Sequence, residues 1–231
     1  WIALMDCGLQ IESDWLEKMV KFVEREQVKV ASGVGVFKGQ TLIDVCAVAQ
    51  TYGYERPRPT MPSSLIHRSI FAQYGLFIEN RRAGYDVDWP RMIRKNGVRR
   101  GVNTDFIFRY DGVSFGSNLR FIFNKMVKYS IPTIKLPHYR LPYWLMGMLL
   151  SAVIATSLYP SLLVYFLGMY LLIRGFILPI YKSGNLRIFI DNPLAILGLP
   201  IVGLVMDLGR VVGYLKGMAY YHLGIKMEIP V

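Results

Sequence analysis

Between Leu141 and Ile173 the chain carries no charged residue for 33 consecutive positions. One helix of that length would be about 50 Å long, against a hydrocarbon core of roughly 30 Å. Pro160, in Ser157-Leu158-Tyr159-Pro160-Ser161, falls near the middle of the run. Proline removes a backbone donor and disfavours helix at the preceding residue. The run therefore reads as a hairpin of two membrane helices, 143–158 and 161–180. Composition agrees: 53% of the 231 residues are hydrophobic and 19% charged, with a mean hydropathy of +0.31. Soluble domains carry about 25% charged residues.

The charge is unevenly placed. Residues 81–140 hold 13 Lys and Arg against 4 Asp and Glu, just ahead of the first apolar segment. The positive-inside rule then puts residues 1–141 in the cytoplasm and makes the chain an integral membrane protein. Lys182 and Arg187 after the hairpin fit a return to the same side. No nucleic-acid-binding motif accompanies the basic excess, so anionic membrane lipids are the expected partner and nucleic acid is not. A third apolar stretch, Pro193 to Met206 within a membrane-associated segment 193–220, is interrupted by Pro200. If it spanned, Arg210, Lys216 and Lys226 would lie on the outer side, so an in-plane or re-entrant segment fits the charges better. Gly209, Gly213 and Gly217 recur every four residues, a stripe that lets helices approach closely. Asp207 and Arg210 read as a pair anchoring that helix at the interface.

Other classes drop out. Cys7 and Cys46 have no framework spacing, and His67, His138 and His222 form no zinc cluster with them. Trp1–Met5 is too short for a signal-peptide core.

Residues 1–130 read as alternating strands and helices. Trp1–Met5 is an apolar strand ending at Asp6, and its position implies further strands upstream. Ser13 or Asp14 caps a helix with Leu16, Met19, Val20 and Val23 on one face. Val28–Phe37 reads as a strand, 53–62 as a proline-rich loop, and Ser63–Arg68 as a turn and short strand. Pro90 suits the first turn of a helix that stops at Asn96-Gly97, and 98–110 returns as strand. Residues 117–129 place Leu119, Ile122, Phe123 and Met126 on one face and Arg120, Lys125 and Lys128 elsewhere. That pattern fits a helix lying on a membrane surface.

Two features could carry chemistry. Asp6 stands at the carboxyl end of a strand, where α/β folds bind ligands and where a carboxylate can hold a hard cation. Taken alone, Asp6 reads more simply as a cap on the following turn. Asp86 and Asp88 precede a helix N-terminus, where one carboxylate can cap while the other serves as a general base.

The order Asp6, Asp14-Trp15-Leu16, Gly75-Leu76-Phe77-Ile78-Glu79, Asp86-Val87-Asp88-Trp89, Gly97 and then membrane helices resembles the second half of a membrane-anchored, inverting family 2 glycosyltransferase. The resemblance covers roughly residues 1–130. It implies an α/β fold, a partial GT-A, Rossmann-like nucleotide-diphospho-sugar transferase fold, over 1–130, followed by α-helical membrane segments over 131–231. It also implies that Asp6 binds Mg²⁺ or Mn²⁺ with the nucleotide-sugar diphosphate, and that Asp86 is the base. Gly75, Phe77 and Glu79 would line the acceptor side, with Ser63, Ser64 and Asp88 completing the substrate-binding set. The donor would be a nucleotide-sugar and the acceptor a lipid-linked or cell-envelope saccharide. Three positions depart from the family pattern. Gly8 stands where a second metal-binding Asp is usual, and Tyr85 where a Glu precedes the base. The Gln-x-x-Arg-Trp signature of processive synthases does not follow. A single-addition transferase is therefore expected rather than a polymerase. The upstream strands that bind the base and ribose are expected outside this stretch. Loss of both carboxylates also raises a non-catalytic, membrane-anchored binding or scaffold protein as the alternative.

Overall fold

The computed structural model describes residues 1–6, 9–77, 85–110, 118–135 and 141–224, with the backbone alone at 85, 86, 135, 141 and 142. The chain divides into two compact units. One is Trp1–Lys38 with Glu55–Val113, and the other is Gly39–Tyr54 with Ser114–Val231. The first half runs β1 (Ile2–Leu4), α1 (Trp15–Glu26), β2 (Val30–Phe37), α2 (Leu42–Thr51), β3 (Arg58–Ile66), α3 (Arg68–Tyr74), α4 (Tyr85–Lys95) and β4 (Arg100–Tyr110). The second runs α5 (Leu119–Ser130), a 3-10 turn (Ile131–Lys135), α6 (Leu141–Leu158) and α7 (Leu162–Leu172). A π-helical turn (Ile173–Ile177), α8 (Leu178–Ser183), α9 (Arg187–Asp191) and α10 (Ala195–His222) complete it.

In the sheet unit the four strands are ordered β1-β3-β2-β4, a small mixed sheet. β3 is antiparallel to β1 and β2, while β4 is parallel to β2. Period-two alternation separates two cores. Ala31 and Leu65 face Trp15, Met19, Phe22 and Val23 of α1. Their neighbours Val30 and Ile66 face Ile70 and Phe71 of α3 and Trp89 and Ile93 of α4. Each large side chain buried this way stabilises the fold by about 1.5–3 kcal/mol.

Several details differ from the sequence reading. On α1 the buried face is Trp15, Met19, Phe22 and Val23, while Leu16 is 49% exposed. The two aromatics take the sheet-facing side and turn Leu16 outward. The expected loop 53–62 becomes strand from Arg58 despite Pro59 and Pro62. β1 pairs with Ser64, Leu65 and Ile66, so at the prolines β3 has no partner on that side among the described residues. The missing N–H is tolerable on such an edge. Asp86 and Asp88 lie within α4 rather than ahead of it, and Pro90 is interior to that helix. α4 stops as expected, with Gly97 at φ +78° and the Val98 N–H donating to the Ile93 carbonyl at 3.1 Å.

In the helical unit, Pro160 separates α6 from α7 as its position predicts. Two helical stretches are long and apolar enough to cross a membrane by length and composition, Leu162–Ser183 and Ala195–His222, each with mean hydropathy 1.9. The apolar stretch Tyr143–Leu158 is shorter. The segment 193–220 is thus one helix that continues through Pro200. The glycine stripe is its seam with α5: a Cβ on Gly213 would sit 2.4 Å from the Val127 carbonyl oxygen, and one on Gly217 equally close to that of Ile131. The apolar face of α5, with Ile122 and Met126 buried, is therefore covered by α10 and is not free to enter lipid. Arg120 and Lys128 stay exposed, and Lys125 lies 5.7 Å from the Tyr129 ring centre. α2 joins this unit: Thr41 caps its N-terminus by accepting from the Asp44 N–H at 3.2 Å, and nearly all of the helix is buried.

Candidate functional site

Strand direction defines the site in the sheet unit. β1 and β2 both oppose β3, and β4 follows β2, so β1, β2 and β4 point the same way. β2 and β4 end side by side at Phe37 and Tyr110, close to Arg58 at the start of β3, while β1 ends at Leu4, level with Ser32, and leads to Asp6. Four residues after Asp6, the Gln10 N–H donates to the Arg109 carbonyl at 3.4 Å. The chain leaving β1 thus reaches β4. A cavity of about 400 Å³ lies here, lined by Val36, Lys38, Glu55, Ile107 and Arg109. Two cations against one carboxylate favour an anionic occupant.

Asp6 is exposed, yet enough protein surrounds it for partial desolvation to raise its carboxyl above the ordinary 3.8. No hydrogen bond or ion pair to Asp6 occurs among the described residues. A hard divalent cation fits such a carboxylate, because it supplies the missing opposite charge. The described residues contain no cluster of three or more His, Cys, Asp or Glu. The other ligands would therefore be water and substrate oxygens, the usual arrangement for Mg²⁺. Gly8 lies outside the described residues.

Gly75 and Phe77, which the resemblance would put on the acceptor side, meet at Trp89. Its indole N–H donates to the Gly75 carbonyl at 3.0 Å, and its ring lies 5.1 Å from Phe77 and 5.0 Å from Phe71. Gly75 ends α3 at φ +85°, a conformation that favours glycine. Leu4 of β1 packs on the same apolar cluster, so the strand that leads to Asp6 and the helix that carries Asp86 and Asp88 share one core. Glu79 and the side chain of Asp86 lie outside the described residues. Asp88 is half-buried.

Ser63 and Ser64 are fully buried within the sheet. Ser64 shares a hydrogen bond with Ser32 at 3.0 Å and donates to the Thr60 carbonyl at 3.1 Å. Arg100 Nε donates to Ser32 at 2.8 Å, and burial, with Arg94 nearby, lowers the Arg100 pKa. Ser63 holds φ +67° at a bulge beside Gly33. In this geometry both serines belong to the sheet interior rather than to an open surface.

The sequence reading missed Trp89 as the link between motifs, the cations Lys38 and Arg109, and a polar cluster in the helical unit. There Asp207 pairs with Arg210, as the sequence reading had it, but also with Arg174 at 2.6 Å. The signal for Arg174 was available, since it is the charge that ends the apolar run.

No family model, curated protein or solved structure matches the chain.

Proposed function

We propose that the chain is the membrane-anchored catalytic portion of an inverting glycosyltransferase that works at the cytoplasmic face. It would move a sugar from a nucleotide-sugar donor to a lipid-linked or cell-envelope acceptor. One observation carries the reading: a partly desolvated Asp6, without a hydrogen-bond partner among the described residues, follows a strand that runs in the same direction as the two strands whose ends flank a cation-lined cavity. Asp86 accepts the proton of the acceptor hydroxyl, and that oxygen attacks the anomeric carbon. The bond from that carbon to the diphosphate breaks on the opposite side, and the diphosphate leaves with the electron pair. Lys38 and Arg109 hold its negative charge by charge-assisted hydrogen bonds. A Mg²⁺ or Mn²⁺ ion at Asp6 would supply Lewis-acid stabilisation of the same leaving group.

The test is sugar transfer to endogenous lipid by protein isolated from its own membranes. Asp86→Asn should lower turnover by roughly two to four orders of magnitude with donor binding retained. Unchanged transfer would remove Asp86 from the mechanism. Absence of transfer in both forms, without diphosphate binding, would favour the scaffold reading motivated by Gly8 and Tyr85.

A further inference from the structure

Arg174, Asp207 and Arg210 form a charged cluster in the helical unit, with two guanidiniums on one carboxylate. Arg174 and Asp207 side chains are each 8% exposed and that of Arg210 is 12% exposed. Asp207 accepts three hydrogen bonds. Its Oδ2 accepts from the Tyr170 hydroxyl at 3.0 Å, and Oδ1 accepts from Arg174 Nη2 at 3.0 Å and Arg210 Nη1 at 2.7 Å. Arg174 Nε also lies 2.6 Å from Oδ2, with its N–H not aimed along that contact. Among the described residues one carboxylate therefore answers two guanidiniums, an excess charge of +1 at a helix that also shows exposed Leu204 and Leu208. Arg210 uses only one of its N–H donors on the protein among the described residues. Burying net charge is costly unless a counter-ion joins it.

The backbone holds Arg174 in place. At the π-helical turn the Leu178 N–H donates to the Ile173 carbonyl, and Pro179 has no N–H to offer. The Arg174 carbonyl thereby loses its usual donor, and Gln50 Nε2 replaces it at 2.5 Å while also donating to the Leu199 carbonyl at 3.0 Å. Gly203 leaves room for this: a Cβ there would lie 3.0 Å from Gln50 Nε2 and 3.4 Å from Arg174 Nε. π-helical turns recur at functional sites for this reason, because they re-aim one side chain.

We propose that Arg174 and Arg210 form a site for a phosphate oxyanion, carried by an anionic lipid whose chains lie along the apolar surface of α10. A guanidinium matches phosphate geometry with paired donors, and a lipid phosphate reaches this apolar position with its tails already in lipid. The inference needs the membrane placement of these helices but not sugar transfer, so it stands or falls separately from the transferase reading.

The experiment reconstitutes the full chain in phosphatidylcholine nanodiscs with and without phosphatidylglycerol, and in phosphatidylcholine with inorganic phosphate added. Retained lipid is counted by native mass spectrometry and the unfolding midpoint is followed. The native protein should retain phosphatidylglycerol and unfold at a higher temperature with it. Arg210→Gln should weaken retention by roughly tenfold or more. Arg210→Lys, which keeps a charge without the paired donors and serves if the glutamine variant fails to fold, should fall between. Lys216→Gln, an exposed change of equal charge, should bind as the native protein does. Protection by inorganic phosphate alone would support the anion site and assign it to a free phosphate. Equal retention by native, Arg210→Gln and Arg210→Lys proteins, or an equal loss in Lys216→Gln, would overturn the proposal.

Discussion

The two units solve burial in opposite ways. In the sheet unit, apolar side chains such as Trp15, Met19 and Ile93 are inside, and charged ones such as Lys21 and Glu17 are outside. In the helical unit, Arg174, Asp207 and Gln50 are inside, while α7 has no buried residue at all and shows Val164 and Tyr165 more than 70% exposed. Water drives the first arrangement through the hydrophobic effect. An apolar helix without a buried face fits an apolar surrounding, in which polar groups turn inward to satisfy each other. The chain therefore pairs a unit that hides its apolar side chains with one whose apolar helical stretches are long enough to cross a membrane by length and composition.

Truncating the aromatic anchor should produce the largest effect. Trp89→Ala removes ring contacts with Phe71 and Phe77 and the bond to Gly75. It should cost about 4 kcal/mol in a denaturant titration of the detergent-solubilised chain. Leu163→Ala, at a position 57% exposed on α7, should leave that curve in place. Equal losses would break the contrast between the units. Next comes Asp207→Ala, which leaves Arg174 and Arg210 without their shared carboxylate. It should cost about 3 kcal/mol and act on the helical unit alone, read by hydrogen exchange of α10 against β2. Gln50→Leu should cost about 2 kcal/mol, because two carbonyls lose a donor. Its loss should show first as faster exchange in 174–183.

The smallest effect concerns pH. Burial raises the Asp6 carboxyl, so its stabilising contribution is present below the ordinary 3.8 and is lost as pH rises through the raised folded value. At neutral pH the ionised group is a local cost. Asp6→Asn should slightly raise the unfolding midpoint without metal. Mn²⁺ should raise the midpoint of the native protein but not that of the variant.

Much of this was readable in the sequence where one residue decides the outcome. Pro160 divided the apolar run, Gly97 ended α4, and the four-residue glycine period marked the seam of α10. Each acts through local backbone geometry. Of the strand Arg58–Ile66 the short strand within 63–68 was legible, but its first half was hidden because Pro59 and Pro62 argue against a strand, and only the shortness of β1 makes them tolerable. The apolar stripe of α5 was visible, but a stripe does not say whether lipid or another helix covers it. Likewise Asp207 and Arg210 are three residues apart and easily paired, whereas Arg174 joins them across 33 positions. At the candidate site, Asp6 was legible from a strand running into a carboxylate. The cavity cations Lys38 and Arg109 were not, because no local pattern brings two strand ends together.

The most direct test of the transferase account is calorimetric titration of the membrane-extracted protein. Uridine, guanosine, cytidine and thymidine diphosphates would each be added with and without Mn²⁺. The account predicts that at least one binds only with the metal, and that Asp6→Asn abolishes the metal dependence. Binding of none of them, or binding indifferent to both Mn²⁺ and Asp6, would contradict it.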